Sequence, residues 1–174
     1  MADCNCTVDT IEAFCGGVNA PGLDRSLSIT CEDQIAAIPA ADADTHVISD
    51  DITYRPSAVG PPAVAAGKFF TWGFAKDGGS WVSERDDNGL WNTEVKIFIQ
   101  KLEATKTYVL NGMSGDNLIA IVPDRNGNAR LVGSKTNGAS VKVKETTETR
   151  NGYEVSIMWQ SAHAPYFYTG AITT

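Results

Sequence analysis

The stretch VPDRNGNARLVG, residues 122–133, decides how the chain is read. Its Asp-Arg-Asn-Gly-Asn centre gathers an acid, a base and amides around a glycine, a composition shared by ligand-binding loops and hairpin turns. The flanks choose between the two. NLIAIVP (117–123) precedes the centre and ARLVG (129–133) follows it, both apolar runs of strand length. Asn126-Gly127 supplies the positive φ that a hairpin turn requires. A hairpin needs these residues and no ligand. Binding of an anion or metal by Asp124 and Asn126 is the competing reading, but calcium calls for more oxygen ligands at closer intervals than this loop offers.

The same pattern of strand and turn extends both ways. Downstream, GASVKVKETTE (138–148) alternates Val141 and Val143 with lysines, and YEVSIMWQ (153–160) alternates again. Asn151-Gly152 between them predicts another hairpin. Upstream, LWNTEVKIFIQ (90–100) puts Val95, Ile97 and Ile99 on one face, KFFTWGFA (68–75) is an aromatic strand, and SLSIT (26–30) is a short one. THVISDDITYR (45–55) reads as a β-branched strand bulged at Asp50-Asp51, and His46 falls within it. EDQIAAIP (32–39) allows one helical turn stopped by Pro39, and SAVGPPAVAAG (57–67) is a loop that cannot be a central strand. KDGGS and RDDNG are turn signals on either side of the short SWVSE run, so residues 76–90 are expected to form a long, polar, mobile excursion. The one helix expected lies in KLEATKTYVLNG (101–112), where Leu102, Lys106, Val109 and Leu110 have helical spacing and Asn111-Gly112 forms the C-cap.

A chain of 174 residues, 43% hydrophobic and 20% charged, suits one soluble globular domain, 1–174. No apolar run approaches the roughly 20 residues of a membrane span. The first residues, MADCNCTVDTIEAFCGG, carry acids and no basic residue, so Sec export is not expected. The formal net charge is −7, and residues 1–60 hold ten acids against Arg25 and Arg55. So acidic a chain is not built to grip a phosphate backbone, where binding rests on Lys and Arg displacing counterions. The acids either solvate the protein or keep nucleic acid from adhering to it.

Catalytic signatures are sparse. Walker A, G-x-G-x-x-G, H-E-x-x-H and G-x-S-x-G motifs are all missing from the sequence. Cys4, Cys6, Cys15 and Cys31 lack the paired spacing of a zinc site, so free thiols are expected, with a disulfide or soft-metal site as alternatives. His163 sits among the aromatics of SAHAPYFY, where packing or a subunit contact is the ordinary role. Asp50 and Asp51, adjacent on a strand, point to opposite faces, and Asp86-Asp87 lies in a polar turn. Trp72 and Trp159 belong to apolar strands. Trp81 and Trp91 flank the excursion and, if exposed, suit a protein interface or a glycan-stacking platform. No cofactor, metal site or catalytic residue is assigned.

The order CGGVNAPGLDRSLSIT–EDQIAAIP, then EVKIFIQKL–helix–NLIAIVPDRNGNARLVG, then NGYEVSIMWQ resembles the tail-tube proteins of long-tailed bacteriophages, most closely the type found in phages of Bacteroidetes hosts. The resemblance covers about residues 15–168 and is one of pattern and order. It implies a mainly β fold, a sandwich or barrel with one flanking helix, in a non-enzymatic virion protein. Its subunits form hexameric rings that stack into a tube whose inner sheet lines a channel for DNA. The partners implied are further copies of the chain and other tail proteins, with DNA as cargo and no membrane. Carried onto this chain, 76–90 resembles the ring-stacking hairpin, while the arm 1–25 and the tail 161–174 resemble inter-ring clamps. Trp81, Glu84, Arg85, Trp91, His163, Tyr166 and Tyr168 are the contact residues so implied. The cysteine-rich arm departs from the family pattern. Some acids should then face the channel, with Lys142 and Lys144 pointing outward or into subunit contacts. A head–tail connector or tail-terminator ring of the same fold is one alternative. A glycan-binding β-sandwich is another, and a small enzyme using thiol chemistry at Cys4 and Cys6 is a third.

Overall fold

Alternating strands in the second half of the chain supply the frame. The structure, a computed structural model, describes residues 21–59, 63–75, 77–113, 117–148 and 150–174. Most of the expected arm, with Cys4, Cys6 and Cys15, lies outside the described residues, as does Lys76 at the start of the expected excursion. The fold is mainly β with a single α-helix among the described residues, and the helical turn allowed in EDQIAAIP is a 3-10 turn at Glu32–Gln34 that ends at Ile35, well before Pro39.

Two long strands, β7 (Trp91–Gln100) and β11 (Gly152–Ser161), pair antiparallel along their whole length. β6 (Gly79–Arg85) pairs with β7 and β10 (Ser140–Thr146) with β11, giving a four-stranded sheet in the order β10-β11-β7-β6. Period-two alternation sends Val95, Ile97, Tyr153, Val155, Ile157 and Trp159 to one face. That face packs on β1 (Ser26–Cys31) and β8 (Leu118–Pro123) through Leu27, Ile29, Leu118, Ala120 and Val122. β1 and β8 are central in a second, six-stranded sheet. There β8 pairs with β9 (Ala129–Val132), β1 pairs with β5 (Phe70–Gly73), and β12 (Phe167–Tyr168) joins β9 to β3 (Val47–Ile48). The far face of this sheet carries Ile119, Ile121 and Leu131. They pack under Ile35, Ile48, Ile52, Phe69 and Tyr168, and β2 (Ile35–Ala37) with β4 (Thr53–Tyr54) forms a two-stranded cover. β8 is buried on both faces, which is why NLIAIVP is continuously apolar rather than alternating.

The opening stretch is the β8–β9 hairpin. Pro123 pairs with Ala129, leaving Asp124–Asn128 as the loop, and Gly127 has φ +85. Asp124 Oδ1 accepts the Asn126 and Asn128 N–H groups at 2.8 and 2.9 Å, so its carboxylate is spent on the turn. Arg125 does more than turn the chain. It donates to the carbonyls of Pro21 and Leu23 at 3.2 and 3.1 Å and to Asp77 at 2.6 Å, tying the lead-in to β1 and the β5–β6 connection to this hairpin.

The helix α1 (Ala104–Asn111) follows β7, close to where the sequence places it. Leu110 enters the core while Val109 is half exposed, so the apolar spacing that marks the helix does not lie on one buried stripe. Its N-terminus is held instead by Tyr153, whose buried hydroxyl accepts the Glu103 N–H and donates to the Glu103 carbonyl, each at 3.0 Å, and lies 2.7 Å from Thr107 Oγ1.

Four segments differ from their reading or add to it. In place of the long excursion expected over 76–90, 79–85 form an in-register edge strand with Gly79, Trp81 and Ser83 on the core-side face, followed by a tight turn in which the Asp86 N–H donates to Leu90 O. The two turn signals bound a genuine strand whose polar outer face disguises it. The tail 161–174, which the resemblance makes an inter-ring clamp, is tied into its own subunit. β12 joins the six-stranded sheet, Thr173 O accepts the Phe69 N–H at 2.9 Å, and Asp51 accepts the Ala171 N–H at 2.6 Å. Asn151-Gly152 is not a two-residue turn, since Thr146 pairs with Gly152 across a longer connection and Gly152 is a strand residue. THVISDDITYR is split into β3 and β4. His46 precedes β3 at φ +59, in a turn where Asp42 Oδ1 accepts the Asp44 and Thr45 N–H groups.

Candidate assembly surface

The residues singled out in the sequence fall into three separate places. Trp81, Glu84 and Arg85 lie on β6, with Trp91 opposite Arg85 at the start of β7. His163 and Tyr166 lie in the connection between β11 and β12. Tyr168 is core rather than contact. It is 3% exposed, and its hydroxyl accepts the Ile52 N–H at 3.3 Å and donates to Ala171 O at 2.7 Å, while burial holds its pKa above that of an ordinary phenol.

Trp81 and Trp91 are half-buried, Trp72 likewise, and Trp159 is buried. None offers a bare ring for sugar stacking. Trp81 instead lies 5.4 Å from the Arg130 guanidinium, which also caps Phe167 at 4.7 Å. This cation–π bridge ties β6 to β9 and β12 across the mouth of the sandwich.

The sequence linked His163 only to neighbouring aromatics, but the fold adds His46, 117 positions away in the chain. Tyr166 lies 4.3 Å from each imidazole, and Trp159 meets His163 edge-on at 5.8 Å. His46 Nε2 and His163 Nδ1 lie 2.9 and 3.0 Å from one acceptor, Ala164 O, so each donates a ring N–H to it. The Ser161 hydroxyl donates to His163 O rather than to an imidazole. The arrangement buttresses the β11–β12 corner and does not assemble a nucleophile–base pair. Among the described residues, no group of three or more His, Cys, Asp or Glu is placed to hold a metal ion.

A groove that the sequence did not disclose runs between α1 and β5. It holds about 770 Å³ and is lined by Phe70, Trp72, Tyr108, Met113 and the free thiol Cys31. Tyr108 is 81% exposed on its rim. Burial, reinforced by Asp33, raises the Cys31 pKa, so at neutral pH the thiol stays protonated and is a poor nucleophile.

A further organised surface is the solvent face of the four-stranded sheet. Register places Ser80, Val82 and Glu84 of β6 beside Lys96, Glu94 and Asn92 of β7. Glu154, Ser156, Met158 and Gln160 of β11 follow, then Ser140, Lys142 and Lys144 of β10. Among the described strand residues, the charges on this face are Glu84, Glu94 and Glu154 against Lys96, Lys142 and Lys144. Lys96 pairs with Glu94 at 2.8 Å and Lys144 with Glu154 at 3.7 Å. At the rim, Arg150 lies over the Phe98 ring. The face is balanced, not acidic, and Lys142 and Lys144 stand on it. The described acids of the first third lie elsewhere, with Asp24, Glu32, Asp33, Asp42, Asp44, Asp50 and Asp51 in or beside the six-stranded sheet and its cover. Among the described residues, the outer edges of β6 and β10 pair with no strand.

Comparison with family models, curated proteins and solved structures returns no match. Among the described residues, no helix is long and apolar enough to cross a membrane.

Proposed function

We propose that the chain is a tail-tube subunit of a bacteriophage virion, assembling through its four-stranded sheet into stacked rings around a channel for DNA. The observation that carries this reading is the sheet itself. It has one apolar face packed on the core, one polar face turned to solvent, and two open edges on strands of seven residues each. Long open edges are an aggregation hazard that proteins cover, break or close. Here a closed ring would remove them. The order β10-β11-β7-β6 is antiparallel throughout. With an even number of strands, β10 of one copy meets β6 of the next antiparallel in any head-to-tail ring, so the alternation continues unbroken. Such an interface is heterologous and closes when the rotation does.

The size agrees with the hexamer that the sequence resemblance implies. Six copies would supply about 24 strands, which at ~4.8 Å spacing and ~40° tilt close into a barrel about 150 Å around and about 48 Å across. Side chains leave a channel that admits a DNA duplex. Imaging the purified protein in negative stain tests the reading. Rings or tubes about 100 Å wide, on the order of several domains of this size across, are expected. A chain that remains monomeric at high concentration overturns it. Single rings that never stack favour the connector or terminator role instead.

A further inference from the structure

We propose that Glu84 of one copy and Lys142 of the next form the ion pair that sets the register of the ring junction. This rests on the tail-tube reading above, and it follows from three observations about the sheet. The first is charge. On the solvent face, Lys96 and Lys144 each have a glutamate within their own chain, Glu94 and Glu154. Among the described residues, Lys142 and Glu84 have no such partner, and both are exposed. They stand on the two opposite open edges, so within a single copy they cannot meet, and in a head-to-tail ring they are brought together.

The second observation is the direction of the free backbone groups. The Phe98 N–H donates to Gly78 O and the Asp86 N–H to Leu90 O. Even-numbered residues of β6 therefore bond to β7, and Gly79, Trp81, Ser83 and Arg85 turn their N–H and C=O groups to the open edge. Glu84 then falls in a non-hydrogen-bonded position of any added antiparallel pair, where facing side chains come closest.

The third is face matching. A slip of one residue would carry every side chain to the wrong face, so only alternate registers are allowed. Two of these overlap nearly the full length of both strands. One sets Ser80 against Thr146 and Arg85 against Val141, putting Glu84 directly opposite Lys142. The other sets Gly79 against Glu145 and Glu84 against Ser140, putting Lys142 on the diagonal. The ion pair selects the first, and there Val82, 47% exposed in the single copy, lies under the aliphatic stem of Lys144.

Charge reversal tests the pairing. Sedimentation and negative stain are applied to the full chain and to E84K, K142E and the double variant E84K/K142E, with circular dichroism confirming that each is folded. Each single reversal is expected to lower the fraction in rings at least tenfold, and the double variant to return it to within about threefold of the parent. The neutral pair E84Q/K142Q is expected to assemble with a weaker dependence on salt, since a partly exposed ion pair is screened. Single reversals that assemble like the parent overturn the proposal while leaving the tail-tube reading intact. A folded double variant that fails to recover also overturns it. A parent chain that forms no rings overturns the tail-tube reading itself and removes the junction with it.

Discussion

At Gly152 the residue next to an asparagine was expected to turn the chain, yet it is needed for the lack of a side chain. A Cβ there would stand 2.2 Å from Ile99 O and 2.8 Å from the Phe98 ring, both held by the β7–β11 ladder. Gly152→Ala should therefore destabilise by about 1–3 kcal/mol through overpacking, read as a lower urea midpoint. Gly127→Ala isolates the other use of glycine. Nothing lies within 4 Å of its Cβ position, but φ is +85, so the cost is the left-handed strain of about 1–2 kcal/mol. If Gly152→Ala proved milder than Gly127→Ala, the close packing of the two long strands would be wrong. Sequence distinguishes these glycines poorly, because Asn-Gly precedes a strand in one and closes a turn in the other. What separates them is the neighbouring strand, which no local pattern contains. Cys31 gives a chemical counterpart. With its pKa raised by burial and Asp33, the thiol is protonated at neutral pH, and its alkylation should lag a free small-molecule thiol at pH 7.5 and accelerate only at more alkaline pH. Peptide mapping of carbamidomethylation follows it directly.

Among the elements, α1 shows how a helix can be legible without its anchor being so. Its spacing and its Asn111-Gly112 end are visible in the sequence, although Gly112 caps with φ −76 rather than in the left-handed region. The side chain that fixes it, Tyr153, comes from a strand 50 residues on and reads there only as one more alternating aromatic. Tyr153→Phe should cost about 1–3 kcal/mol, the desolvation left on the Glu103 N–H and C=O, and should speed amide exchange across Ala104–Asn111 more than across β7. Equal acceleration in both would mean the tyrosine supports the core and not the helix. The N-cap residue also carries a pH signature. Hydrogen bonds from Lys101 first, then Lys106, lower the Glu103 pKa below its ordinary 4.5. A depressed carboxylate contributes stability above its unfolded value and loses it as pH falls through the folded one. A Glu103 side-chain NMR titration should have its midpoint below 4.5, and K106M should move it upward. β6 was harder to read than α1 because its core-facing residues, Gly79, Trp81 and Ser83, include only one large apolar side chain. An edge strand that buries little carries little hydrophobic signal, and the turn residues around it dominate.

On the scale of the whole molecule, the mainly β class and the strands β1, β5 and β7–β11 can be read from the sequence, but β2, β6, β12, the break between β3 and β4 and the distribution of charge cannot. The excess of acids in the first third suggests an acidic wall for a DNA channel, whereas its described acids, from Asp24 to Asp51, lie in or beside the six-stranded sheet and its cover, away from the open-edged face. What that face offers instead is neutralisation in place. Each lysine on it has a glutamate: Glu94 for Lys96, Glu154 for Lys144, and by the junction proposed here Glu84 for Lys142. A paired lysine releases few counterions from a phosphate backbone, so a balanced wall can let DNA pass without being strongly repulsive. This predicts what removing the glutamates does. Glu94→Gln with Glu154→Gln leaves Lys96 and Lys144 without their carboxylate partners on every copy, while Glu84, Lys142 and the core are unchanged. Assembled tubes of that variant should bind duplex DNA at low salt, with log affinity falling against log salt by about 0.9 for each phosphate engaged, while tubes of the parent bind little. Binding measured by fluorescence anisotropy on pre-assembled tubes, with open-ended duplex short enough to enter, separates the two. If parent and variant bind DNA equally, or neither binds at low salt, this face does not line the channel, and the lumen must be sought on another surface of the subunit.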